Sequence, residues 1–172
     1  TKLLYQLSCQ IHILQKFFKF MHNDLKTTNI FYKLINKKKK LSRKNVIFVI
    51  GDFGGSNLEF ENLVTKGEVM GSEIKFNPNK DLFMFVHLFL TFIDTKLRDN
   101  LILFLEKIFI NIDKYNSINN VDNLWHSFYN QENYPDEYNP KNIIRKIEEI
   151  FPEYGRDKNV ISVVAAVVTL GL

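Results

Sequence analysis

The stretch MHNDLKTTNI at residues 21–30 places a histidine, an acid, a lysine and an asparagine within eight positions. It follows a segment with helical periodicity and precedes a short run rich in strand-forming residues. A polar stretch in this setting is either a loop that closes a helix or the working part of an active site. We interpret it together with a second stretch, VIGDFGGS at residues 49–56.

The segments around these two stretches predict a helix, a hairpin and a long loop. Apolar residues recur at steps of three and four, which indicates an amphipathic helix: Leu4, Leu7, Ile11, Leu14, Phe18 and Met21. NIFYKLI at 29–35 and NVIFVIGDF at 45–53 are apolar runs joined by a charged loop, and they predict a β-hairpin. Residues 54–80 contain four glycines and show little periodicity, which predicts a long, functional loop.

The rest of the chain predicts helices. DLFMFVHLFLTFI at 81–93 is apolar nearly all round, as in a helix buried on every side. Residues 97–114 carry helical periodicity, and Asn139-Pro140 is a cap and first-turn proline for a helix that Pro152 ends. Residues 159–170 suit either helix or strand. We therefore expect a mainly α (α+β) fold forming one domain over residues 1–172.

Charge and composition exclude several classes of function. The net charge is +4, but residues 33–44 hold seven basic side chains and no acid, and the rest of the chain has 16 − 19 = −3. The basic charge is thus local, so we expect a solvated loop there and no nucleic-acid partner. Cys9 is the only cysteine, which excludes an intrachain disulfide and fits an intracellular, cytoplasmic location. No run reaches the roughly 18–20 apolar residues of a membrane span, so no membrane partner is expected.

The residue types in the two stretches suit phosphoryl transfer. That reaction needs a carboxylate to orient a hydroxyl, a cation near the transferred group and oxygen ligands for Mg²⁺. Either stretch alone is weak support, because an isolated Asp-x-Lys is usually a surface pair and an isolated Asp-Phe-Gly is usually a turn. Their order and spacing, with strands between them, make the combination specific.

The sequence HNDLKTTN at residues 22–29 resembles the catalytic loop of protein kinases, H-R-D-L-K-x-x-N, and Asp52-Phe53-Gly54 resembles their metal-binding D-F-G. The order of elements is also similar over residues 3–94. The resemblance implies a protein-kinase-like C-terminal (large) lobe, with a small β-hairpin carrying both loops. It also implies a Ser/Thr kinase that transfers the γ-phosphate of ATP to a hydroxyl of a protein substrate.

The resemblance also assigns roles to four polar residues. Asp24 would be the catalytic base, and Lys26 would act with it by neutralising charge on the γ-phosphate of ATP. Asn29 and Asp52 would hold Mg²⁺, or Mn²⁺ in its place, between the phosphates. Lys26, Asn29 and Asp52 would therefore be the cofactor-binding residues of this lobe.

Four further residues would support the site by the same resemblance. His22 and Phe53 would pack together behind it, and Gly54 would complete the D-F-G turn. Asp81 would hold the backbone of the catalytic loop by hydrogen bonds. The alternative for Asp81 is an ordinary first-turn acid, which favours the helix dipole.

Two departures from the family affect regulation. Asn23 replaces the arginine that pairs with a phosphorylated activation segment, so we expect phosphomimetic changes at Ser56, Thr65 or Ser72 not to switch activity. Residues 70–74, MGSEI, only faintly match M-A-P-E-x. If the match holds, Glu73 keeps a structural ion pair; otherwise the substrate-docking loop is remodelled. These features look most like the divergent kinases of large DNA viruses, which would act in the host cell or the virion.

The small lobe of a kinase has no counterpart in this sequence. No glycine-rich loop and no strand lysine precede His22, which only 21 residues precede. We therefore expect a large lobe from a longer kinase, inactive in isolation. Two alternatives stay open. A small-molecule kinase of the aminoglycoside or choline type shares part of the loop but usually lacks the lysine and the D-F-G. A pseudokinase or truncated binding module would explain the missing lobe, but not the four intact polar residues.

Overall fold

The computed structural model describes residues 1–35, 45–61, 63–65, 75–110, 112 and 133–155. Its helices are α1 (Lys2–Phe18), α2 (Lys80–Phe92), α3 (Thr95–Leu105) and α4 (Pro140–Ile150). Its strands are β1 (Ile30–Leu34), β2 (Val46–Ile50), β3 (Leu58–Phe60) and β4 (Leu63–Thr65), which form two antiparallel pairs. The described part of the chain is therefore a mixed α+β fold, as the sequence predicts.

Helix α1 is the predicted amphipathic helix, and it packs on the core through buried Leu4, Leu7 and Ile11. It ends where Lys19 takes a left-handed conformation, with φ at 42°. Met21 continues the apolar periodicity but is not helical. Its backbone instead exchanges two hydrogen bonds with Asn57, at 2.9 and 2.8 Å. The extended segment after α1 thereby pairs with the segment that precedes β3.

Strands β1 and β2 form the predicted hairpin, with Ile30 opposite Ile50 at one end. Two buried glutamines of α1 fix this hairpin to the helix. The backbone N–H groups of Phe48 and Ile50 donate to the side-chain oxygens of Gln6 and Gln10, at 2.9 and 3.2 Å. The Gln10 amide also donates to the Phe48 carbonyl at 2.9 Å. Among the described strands β2 pairs only with β1, so the glutamines satisfy backbone groups on its other edge and fix the hairpin against α1.

The prediction of one irregular loop over residues 54–80 is wrong for its first part, which contains the hairpin β3–β4. Each of these strands has only three residues, too short for a twofold alternation to stand out in the sequence. The loop after β4, including residues 70–74, lies outside the described residues. So do the basic loop at 36–44 and the segment 159–170.

Helix α2 is the predicted central helix, and ten of its thirteen residues are buried. Helix α3 ends at Leu105, earlier than the predicted 114. Ile108 and Ile112 are nevertheless buried, because apolar spacing reports burial and does not by itself keep the backbone helical. Helix α4 begins as predicted, with the Asn139 side chain accepting from the Lys141 N–H at 3.1 Å. Among the described residues, no helix combines the length and apolar character needed to cross a membrane.

Because His87 of α2 is buried, we expect the stability of the fold to decrease in acid. Its Nε2 lies 2.9 Å from the Tyr138 hydroxyl, and burial lowers the pKa of His87 from 6.5 to about 3. Between these values the unfolded chain binds a proton that the folded chain excludes. Stability should therefore fall as pH drops from 6.5 towards 3, by up to about 1.4 kcal/mol per pH unit from this group.

The His87→Gln variant tests this prediction, because glutamine can reach Tyr138 but does not titrate. We expect its unfolding free energy to depend less steeply on pH between 6 and 4 than that of the wild type. Urea titrations at four pH values would measure both slopes. Equal slopes in the two proteins would contradict the assignment.

Candidate functional site

The two polar stretches meet at one end of the β1–β2 hairpin. Asn29 immediately precedes β1 and Gly51 immediately follows β2, and the Gly51 N–H donates to the Asn29 carbonyl at 2.9 Å. The His22 ring adds a second tie, with Nε2 2.9 Å from the Gly51 carbonyl. The antiparallel register therefore places Asp52 beside the loop of residues 22–29.

Asp24, Lys26 and Asn29 form a polar cluster within that loop. The Lys26 ammonium lies 2.7 Å from Asp24 Oδ2, and the Asn29 amide donates to the same oxygen at 3.0 Å. The Asn29 amide also donates to the Asp24 carbonyl at 2.9 Å, which fixes the loop backbone. The other carboxylate oxygen, Oδ1, accepts no hydrogen bond from the described residues. One oxygen of Asp24 is thus held in place while the other is left for an incoming group.

Asn29 has its amide nitrogen committed to Asp24, which leaves its Oδ1 as an acceptor. The one contact of this oxygen within the described residues is a long one, 3.4 Å from the Thr28 hydroxyl. The side chain is buried, so its orientation is set by these bonds and not by solvent. Asn29 therefore presents an oxygen of the kind that hard cations prefer.

Asp52 has a left-handed backbone, with φ at 60° and ψ at 69°. This conformation is uncommon for a residue other than glycine, although aspartate adopts it more readily than most, and such residues concentrate at functional sites. Its side chain is exposed and makes no hydrogen bond or ion pair with the described residues. Within the described ranges, no protein group therefore compensates the charge of this carboxylate.

The donor set fits Mg²⁺ only in combination with a ligand that brings its own oxygens. Within the described ranges, no group of three or more His, Cys, Asp or Glu side chains forms a metal cage. Mg²⁺ is commonly held by one or two carboxylates together with waters and substrate phosphates. The Asp52 carboxylate and the Asn29 side-chain oxygen are ligands of this type.

Asp81 holds the backbone of the loop, which is the contact expected of it. Its two carboxylate oxygens accept from the N–H groups of His22 and Asn23, at 2.8 and 2.9 Å. Burial raises the pKa of the Asp81 carboxyl, and the two N–H donors and the neighbouring Lys80 ammonium oppose that shift. Asp81 also lies in the first turn of α2, so it is a first-turn acid as well as the anchor of the loop.

The rings of His22 and Phe53 pack together as expected, with centroids 5.5 Å apart, and Phe20 contacts both rings. His22 is fully buried, whereas Phe53 remains 45% exposed and covers the site only in part. Because the Gly51 carbonyl accepts from His22 Nε2, the proton lies on that nitrogen. Gly54 has no steric requirement here, since an added Cβ would meet only Asp52 Oδ1, at an ordinary 3.7 Å.

Lys80 is the residue of this site that sequence reasoning missed. Its buried ammonium donates to the Asn23 side-chain oxygen at 3.3 Å, and the Asn23 amide donates to the Gly55 carbonyl at 3.0 Å. Asn23 itself has a left-handed backbone, with φ at 64°. The feature of the sequence that could have identified Lys80 is its position, at the start of a helix that is otherwise apolar nearly all round.

The structure thus brings Asp24, Lys26 and Asn29 into direct contact, and Asp52 directly follows Gly51, whose N–H donates to the Asn29 carbonyl. Comparison with known proteins adds no relative: no family model, curated protein or solved structure matches the chain.

Proposed function

We propose that the chain is the large lobe of a protein Ser/Thr kinase, which transfers the γ-phosphate of ATP to a protein hydroxyl. The observation that carries the proposal is the cluster in which Lys26 and Asn29 hold one oxygen of Asp24. The support comes from the chemistry of this cluster and from the resemblance of its sequence to the kinase catalytic loop.

Asp24 has the properties of the base that orients a substrate hydroxyl. Its Oδ2 is immobilised by two donors, and its Oδ1 accepts nothing from the described residues. A hydroxyl that donates to Oδ1 would be fixed in direction and could release its proton there as the phosphate is transferred. Immobilising the base in this way reduces the entropy lost in reaching the reactive geometry.

In this proposal Lys26 supplies positive charge to the transferred group. Its side chain is 39% exposed, so its ion pair with Asp24 contributes little to stability and can be exchanged for a phosphate. Asn29 and Asp52 would hold Mg²⁺ or Mn²⁺. When bound, the ion neutralises charge on the ATP phosphates.

The molecule that accepts the phosphate distinguishes a protein kinase from the alternative classes of protein. We expect the full-length protein to phosphorylate Ser/Thr peptides and not choline or aminoglycosides, as Lys26 and the intact Asp-Phe-Gly indicate. Transfer to the small molecules alone would favour the small-molecule kinase class. Partner binding with no transfer to any acceptor would favour a binding module.

Asp52 provides a test of the metal site. The Asp52→Asn variant removes the charge with little change of shape, so we expect the Mg²⁺ concentration for half-maximal transfer to rise at least about tenfold. Asp99→Asn is the matched control, because Asp99 is exposed on α3 and takes no part in the site. An unchanged Mg²⁺ requirement in Asp52→Asn would contradict the assignment.

A further inference from the structure

Lys80 is a buried cation in an unfavourable place. It is 3% exposed and lies at the start of α2, where the helix dipole disfavours positive charge. Burial lowers the pKa of Lys80, and the carboxylate of Asp81 opposes this shift. A buried charge is costly unless its partners offset the loss of hydration, so the contacts of this ammonium matter.

The contacts of Lys80 instead lead towards the site. Its ammonium donates to the side-chain oxygen of Asn23, whose amide donates to the Gly55 carbonyl. Gly55 ends the turn that follows Asp52. One amide side chain thus joins the start of α2, the catalytic loop and the turn after the metal-binding aspartate.

The backbone of Asn23 is fixed independently of its side chain. Its N–H donates to Asp81 Oδ1 at 2.9 Å, so Lys80 and Asp81, adjacent in α2, contact its side chain and its backbone respectively. The residue is also left-handed, a conformation that asparagine tolerates better than most residues. The direction of the Asn23 side chain is therefore fixed by contacts of its backbone and of its own amide group.

We infer that Lys80 is a positioning residue that acts through Asn23 to hold the turn at Gly55, and with it Asp52, against the loop that carries Asp24. The inference rests on the proposed function for its catalytic consequence, but the link itself is a structural property. In this arrangement the chain's own lysine orders the turn, with no phosphate needed to do so.

The matched variants are Lys80→Met, which keeps the length and removes the charge, and Asn23→Gly, which removes the side chain without straining a left-handed backbone. Lys16→Met is the control, since Lys16 is exposed on α1 and lies outside the site. Amide hydrogen exchange of residues 53–57 reports the turn directly and does not depend on activity. In active protein, the Mg²⁺ requirement for transfer reports the position of Asp52.

We expect Lys80→Met to increase exchange of residues 53–57 about tenfold, the scale of one hydrogen bond, while α1 is unchanged. Its Mg²⁺ requirement should rise under conditions in which both Lys80→Met and Lys16→Met are fully folded. The double variant with Asn23→Gly should be no worse than either single variant, because both break the same link.

Three results would overturn the inference: unchanged exchange in Lys80→Met, additive effects in the double variant, or lost stability with an unchanged Mg²⁺ requirement. The last is the signature of a merely structural lysine. If the wild type transfers no phosphate, the proposed function fails. The exchange measurement then still decides whether Lys80 orders the turn.

Discussion

The Asp24→Asn variant of the full-length protein is expected to transfer phosphate about 10²–10⁴ times more slowly than the wild type, the range that a positioned general base contributes. Asparagine has nearly the same shape and keeps an oxygen for Lys26 and Asn29 to hold. What it loses is the charge and the basicity of the second oxygen. Steady-state peptide phosphorylation at saturating ATP would measure the loss.

A structural explanation for that loss can be separated from a chemical one. Asp24 is about one-third exposed in its side chain, so the substitution should leave the unfolding free energy nearly unchanged. The affinity for ATP should also change little, because the base contacts the acceptor hydroxyl. A rate equal to that of the wild type would show that Asp24 is not the base. A large loss of stability would show that its role is structural.

The Asp81→Ala variant is expected to cause the largest loss of stability of any substitution in the site. It removes the acceptor for two buried N–H groups, those of His22 and Asn23, and leaves Lys80 without its neighbouring carboxylate. Each stranded donor costs about 1–3 kcal/mol, so the unfolding free energy should fall by about 2–6 kcal/mol. Phosphotransfer should fall as well, because the loop that carries Asp24 loses its anchor.

Asp94→Ala is the matched control for this prediction. Asp94 is also an aspartate at the start of a helix, but it is exposed and accepts from one N–H, that of Lys96 at 2.8 Å. Loss of such a cap costs about 1 kcal/mol. Urea unfolding of both variants would compare them. If Asp81→Ala were no more destabilising than Asp94→Ala, Asp81 would be an ordinary first-turn acid.

The elements that the sequence predicts well are those whose signal is local. Helix α2 is apolar nearly all round, and ten of its thirteen residues are buried. The hairpin β1–β2 follows from two apolar runs separated by a polar loop. The cluster of Asp24, Lys26 and Asn29 spans six residues, so its members were bound to be neighbours once the loop formed. Local spacing was enough in each of these cases.

The features that sequence analysis missed depend on contacts between distant segments. Gln6 and Gln10 are polar residues on a helix, and only the folded hairpin shows that they satisfy the backbone of β2. The link from Lys80 to Asn23 spans 57 residues. Helix α3 stops at Leu105 although its apolar spacing continues. In the first two cases a tertiary contact decides the outcome, and spacing along the chain does not encode it.

The most direct test of the central claim is transfer of labelled γ-phosphate from ATP to Ser/Thr peptides by the full-length protein. Wild type, Asp24→Asn and Asp99→Asn would be compared with and without Mg²⁺. We predict Mg²⁺-dependent label on serine or threonine with wild type and Asp99→Asn, and almost none with Asp24→Asn. No transfer by the wild type, or equal transfer by Asp24→Asn, would contradict the assignment of a phosphoryl-transfer site.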